Sequence, residues 1–132
     1  MNQSEFHKYY EEESERIFSE LKKLNEDELL GIISGKKENS FNFRKGNDNY
    51  QIWRVFQKKG TEKSVQPLFE IVSNLKNEYL IRYHACNALF KIADLKDDDF
   101  KGQVQFGLNA DREIIDQQQA IEKLRKILKL KN

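Results

Sequence analysis

A chain of 132 residues is the size of one domain and can bury roughly two thirds of its unfolded surface. With 38% hydrophobic and 34% charged residues, one Pro and six Gly, its composition excludes disorder throughout and suits a well-solvated helical domain. A net charge of +1 gives no global field toward nucleic acid or acidic membranes, the lone Cys86 has no intrachain disulfide partner, and no apolar run approaches the roughly 20 residues of a membrane span. No basic stretch followed by an apolar run opens the chain, so the expectation is a single cytoplasmic domain over residues 1–132.

Residues 4–24 place Phe6, Tyr9, Tyr10, Ile17, Phe18, Leu21 and Leu24 three and four apart among charged residues, which predicts an amphipathic helix with these side chains on its buried face. Asn25 suits the cap of a second, short helix. Its side-chain oxygen accepts from free amides, and Glu26, Asp27 and Glu28 favour the positive helix end. Leu29, Leu30, Ile32 and Ile33 supply the buried side of that helix, and Gly35 supplies a stop.

Residues 36–49 break the helical period and concentrate Asn, Ser, Gly and charge, which predicts a long loop. Phe41 and Phe43 alternate there with Asn42 and Arg44, so the loop is expected to run extended with one or both rings tucked inside. Helical spacing resumes over residues 50–59 with Ile52, Trp53, Val55 and Phe56, and Gly60 follows as a stop.

Residues 61–94 carry the clearest pattern. Val65, Leu68, Phe69 and Val72 recur at helical spacing in the first half, and Leu80, Tyr83, Ala88, Leu89 and Ile92 in the second, predicting two antiparallel helices that bury each other's apolar faces. Thr61 and Asn77 stand where caps belong, and Pro67 falls near the first turn, where its missing amide costs little. A second short helix is expected at residues 98–106, weakened by Gly102 and Gly107. Residues 111–130 predict a final amphipathic helix through Ile114, Ile115, Ile121, Leu124, Ile127 and Leu128, with Asp111 as its cap.

The order Val65, Pro67, Leu68, then Ile81, Arg82, Ala85, Ala88, Leu89 and Ile92 resembles one HEAT repeat of the short bacterial type found in phycobilin lyases. A shift of about 34 residues lays Val55 and Phe56 over Leu89 and Phe90 and Gly60 over Asp94, an echo of a degenerate preceding repeat. The resemblance implies an all-α fold: a short α-α superhelix of antiparallel pairs with capping helices at both ends, since solenoid ends expose apolar surface unless a polar-backed helix covers them. It also implies binding of another macromolecule without catalysis, and a mainly structural role for Arg82 near the inter-helix turn.

Clustered chemistry is sparse. His7, His84 and Cys86 do not have the spacing of metal ligands, and His84 and Cys86 fall on different faces of one helix. Asp97, Asp98 and Asp99 lack the alternation and closing Glu of a calcium loop, and the segment beginning at Gly35 lacks the Gly-Lys-Ser/Thr of a phosphate-binding loop. Cys86 lies on the face the resemblance turns inward, where a thiol serves as a small apolar group. No cofactor and no enzymatic activity are expected.

Charge is uneven. Between residues 5 and 28 nine acids face four bases, and between residues 36 and 63 eight bases face three acids. The basic segment, interleaved with Phe41, Phe43, Tyr50 and Trp53, is open to three readings: a nucleic-acid grip pairing cations with phosphates and rings with bases, a surface for an acidic protein, or solvated charges over core rings with the two halves of the chain attracting each other. The leading expectation is a module that binds one protein partner, either an adaptor or an immunity or antitoxin-like protein. Its expected contact residues are Phe43, Arg44, Lys45, Trp53, Arg54, Tyr79 and Arg82; the alternative is a nucleic-acid binder using residues 36–63.

Overall fold

The computed structural model describes residues 2–38, 48–95 and 114–130, with side chains of the last stretch from Gln117 onward. Every regular element among them is helical: α1 (Gln3–Lys22), α2 (Glu26–Ile33), α3 (Gln51–Lys59), a 3-10 turn (Glu62–Ser64), α4 (Val65–Ser73), α5 (Tyr79–Ile92) and α6 (Ile114–Ile127). The chain divides into two compact units, Met1–Lys59 and Gly60–Asn132. The expected helix at residues 98–106, the Asp111 cap and most of the expected loop lie outside the described residues.

In the first unit α3 packs against both α1 and α2. Asn2 and Asn25 each open a helix with a full capping box, the Asn oxygen accepting from the amide of Glu5 or Glu28 at 2.8 Å while the Glu carboxylate accepts from the Asn amide. The core collects Ile17 and Leu21 of α1, Leu29, Ile32 and Ile33 of α2, and Ile52, Trp53, Val55 and Phe56 of α3. Gly35 ends α2 at φ 81°, with its own amide donating to Ile32 and the Lys36 amide to Gly31, so the left-handed residue satisfies carbonyls that the helix end would otherwise leave open.

The apolar stripe of α1 outruns its cover. Buried residues begin at Ser14, whereas Phe6, Tyr9 and Tyr10, expected on the buried face, are 59%, 56% and 46% exposed. Periodicity places a residue on a face, and only a neighbouring element can bury it.

In the second unit α4 packs on α5 and on α6. Leu68, Phe69 and Val72 of α4 meet Ile81, Ala85, Ala88 and Leu89 of α5 in a core that also holds Cys86 and, from α6, Leu124. The buried face of α5 is therefore turned from the one expected: Leu80 and Tyr83 point outward at 46% and 38% exposure, and Ile92 is half-buried. Thr61 caps the 3-10 turn by accepting from the Lys63 amide. Asn77 does not cap α5; its side-chain amide donates to the Ile71 carbonyl instead, and Glu78 precedes the helix without a side-chain cap. At its other end α5 stops at Asp94, φ 55°, with the Leu95 amide donating back to Phe90 at 2.8 Å.

Candidate functional site

The first turns of α5 expose two of the three large apolar side chains that stand in solvent among the described residues of the second unit, Leu80 and Tyr83; the third, Ile127, is on α6. Tyr79 is half-buried, and its ring lies 6.0 Å from that of Tyr83, one turn along the helix. The Tyr83 ring stands edge-on to His84, with centroids 5.3 Å apart. Leu80 is exposed beside them. Aromatic rings with polar tips next to an aliphatic side chain make a surface suited to protein contact, since they offer large area at little cost in rotamer entropy.

Beneath this cluster Arg82 turns inward and is 4% exposed. Its Nε donates to the carbonyl of Val72 in the last turn of α4 at 3.0 Å, and its Nη1 donates to Gln117 Oε1 of α6 at 3.1 Å. One guanidinium thus joins three helices. Burial pushes its pKa down from the ordinary arginine value, and Nη2 has no hydrogen-bond acceptor among the described residues. Expected as a contact residue, Arg82 is instead enclosed where a partner cannot reach it. It holds the helix that carries Tyr79, Leu80 and Tyr83.

The other expected contact residues fall in the first unit. Phe43, Arg44 and Lys45 lie outside the described residues. Trp53 is 1% exposed, with its ring 6.3 Å from Phe56, so it belongs to the core and offers no surface. Arg54, its neighbour in sequence, is half-buried: its guanidinium lies 4.1 Å from the centre of the Phe18 ring while Nη1 donates to Glu15 Oε1 at 2.7 Å. Three other bases or polar groups of the basic segment are tied down in the same unit. Lys37 pairs with Glu28 at 2.6 Å, and Lys59 Nζ donates to the carbonyls of Lys22 and Leu24, both at 2.6 Å, at the end of α1. The Asn49 side-chain amide donates to Ser14 at 3.2 Å.

Asp48 was not among the expected residues. It is fully buried and opens α3, with Oδ1 accepting from the Tyr50 amide at 3.1 Å and Oδ2 from the Ile52 amide at 3.2 Å. These bonds hold Asn49 and Tyr50 at φ 52° and 61°, in the left-handed region that non-glycine residues disfavour. The available signal was an Asp two residues before a helical run, with Asn on either side.

Among the described residues no three His, Cys, Asp or Glu side chains stand together as metal ligands. A shallow, open depression lined by Gln3, Ser4, His7, Lys8 and Glu11 runs along one side of α1 and encloses nothing. No helix among the described residues is long and apolar enough to cross a membrane. The chain matches no protein-family model, no curated protein and no solved structure.

Proposed function

We propose that this chain is a non-catalytic protein-binding module, with α4 and α5 as a HEAT-like unit, α6 as the helix that closes it, and the α5 cluster of Tyr79, Leu80 and Tyr83 as its docking surface. An adaptor and an immunity or antitoxin-like protein are the two roles that fit a cytoplasmic module of this size; α1 would take the part of the other capping helix. The observation that carries the reading is the contrast within one helix: α5 buries Ile81, Ala85, Cys86, Ala88 and Leu89 completely or nearly so, yet leaves Leu80 and Tyr83 in solvent. Folding gains nothing from exposing them there, whereas a partner that covers them removes their apolar area from water.

The pairing of Arg54 with Glu15 and of Lys37 with Glu28 within the first unit weighs against a nucleic-acid grip by residues 36–63, because cations already paired with carboxylates release few counterions on meeting phosphate. The test is a pull-down from the native host with the full chain and with Leu80→Glu/Tyr83→Glu, at low and high salt. One stoichiometric protein that survives high salt and is lost with the double variant supports the reading. Nucleic acid released by salt, with no dominant protein, would overturn it.

A further inference from the structure

The first unit carries a second feature that its own packing does not use. Every residue of α1 from Gln3 through Glu12 is exposed, although Phe6 and Tyr10 continue the stripe that Ile17 and Leu21 bury, all within a sector of about 60° on the helix. The exposed length is about 15 Å, three turns at 1.5 Å per residue. That is the span of a helix the size of α3, which has nine residues.

How α3 covers the other half of α1 shows what this face accepts. It brings an apolar side, Ile52, Trp53, Val55 and Phe56, together with cations at its edge. Arg54 lies on the Phe18 ring while bonding to Glu15, a carboxylate one turn away along α1. The exposed half repeats that pairing without an occupant. Glu5 stands one turn before Tyr9, and Glu12 and Glu13 stand one turn after it; Glu13 also stands one turn after Tyr10. Among the described residues Glu11 and Glu12 are held by loose pairs with His7 at 3.7 Å and Lys8 at 4.0 Å, all four side chains about two thirds or more exposed. Glu13 pairs with Arg16.

We propose that the N-terminal half of α1 docks a basic amphipathic helix of another protein, seated alongside Phe6, Tyr9 and Tyr10 as α3 is seated on Phe18 and Glu15. Charge selects this occupant. Residues 5–13 hold four acids against one lysine, so a second copy of the same face is repelled, as are nucleic acid and anionic lipid. Arginine or lysine at the edge of the incoming helix finds both a ring face and a carboxylate. The surface lies in Met1–Lys59, and the proposal does not depend on the α5 cluster.

The probe is a fluorescein-labelled amphipathic peptide of about 14 residues, long enough to close several helical turns when bound, with leucines on one face and arginines at its edges. Its counterpart carries glutamate in place of each arginine. Anisotropy titrations use the full chain and Phe6→Ala/Tyr10→Ala. The expected result is binding of the arginine peptide alone, weakened at least about tenfold by the double variant, on the scale of losing aromatic anchors, and weakened again by salt. Because both residues are exposed, the variant keeps the thermal unfolding of the parent chain. Equal affinity in the variant, or no binding of the arginine peptide to the parent chain, overturns the proposal. So does a concentration-dependent dimer in sedimentation that the double variant abolishes, since the occupant is then a second copy.

Discussion

Replacing Arg82 by alanine removes the donor to the Val72 carbonyl and the donor to Gln117 Oε1, at 3.0 and 3.1 Å, in a place where water cannot substitute. Hydrogen bonds to a charged group contribute about 1.5–3 kcal/mol each. Removing a buried guanidinium that has no carboxylate partner among the described residues returns part of that through relief of its desolvation. The net expectation is a loss of about 2–4 kcal/mol for Arg82→Ala, and about 1–3 kcal/mol for Arg82→Met, which keeps the packing of the side-chain stem. Arg82→Lys cannot span both acceptors with one ammonium and falls between them. Urea unfolding gives the total, and amide hydrogen exchange locates it, with the largest loss of protection expected in α4 and α5. A change below about 0.5 kcal/mol for Arg82→Ala, the range of ordinary surface substitutions, would refute the joining role and return Arg82 to the surface.

Asp48→Ala removes a carboxylate that accepts from two amides at the start of α3 and supports two left-handed residues, so a loss of about 1–2 kcal/mol in urea unfolding is expected. Asp48→Asn, which keeps one acceptor oxygen, should recover part of it; equal losses for both variants would show that the capping bonds are not the cause. Acid titration tests the Glu28–Lys37 pair. The lysine hydrogen bond and the Asn25 amide lower the Glu28 pKa in the folded chain, so its contribution is present above the ordinary carboxylate range and is lost as pH falls through the lowered value. Glu28→Gln should therefore flatten the acid limb of stability against pH and leave the slope above neutral pH unchanged; an unchanged acid limb would rule the pair out as a contributor.

Where chemistry is local, the sequence alone was sufficient. Asn25 with Glu28 three residues on specifies a capping box whatever surrounds it, Gly35 permits the left-handed turn that ends α2, and the spacing of Leu68, Phe69 and Val72 defines the inner face of α4. The all-helical character follows from the same short-range rules. Which part of an apolar stripe is covered is a different kind of fact. Phe6 and Tyr10 share a face with Ile17 and Leu21, and only the reach of α3 along α1 decides that the first two stay in solvent. Trp53 and Arg54 are adjacent in one basic, aromatic segment. Helical geometry sends them to different sides, and α1 then supplies Phe18 and Glu15 to receive the arginine. Asn77 was expected to cap α5, but the packed turn brings the Ile71 carbonyl within reach of its side-chain amide instead. Asp48, by contrast, accepts from amides two and four residues on, a local cap that the sequence held and that a reading of residues 36–49 as loop passed over. Arg82 states the division most plainly. Its place in the α5 pattern was legible, but its burial depends on Val72 and Gln117, which stand 10 and 35 residues away in sequence and meet it only once three helices have packed.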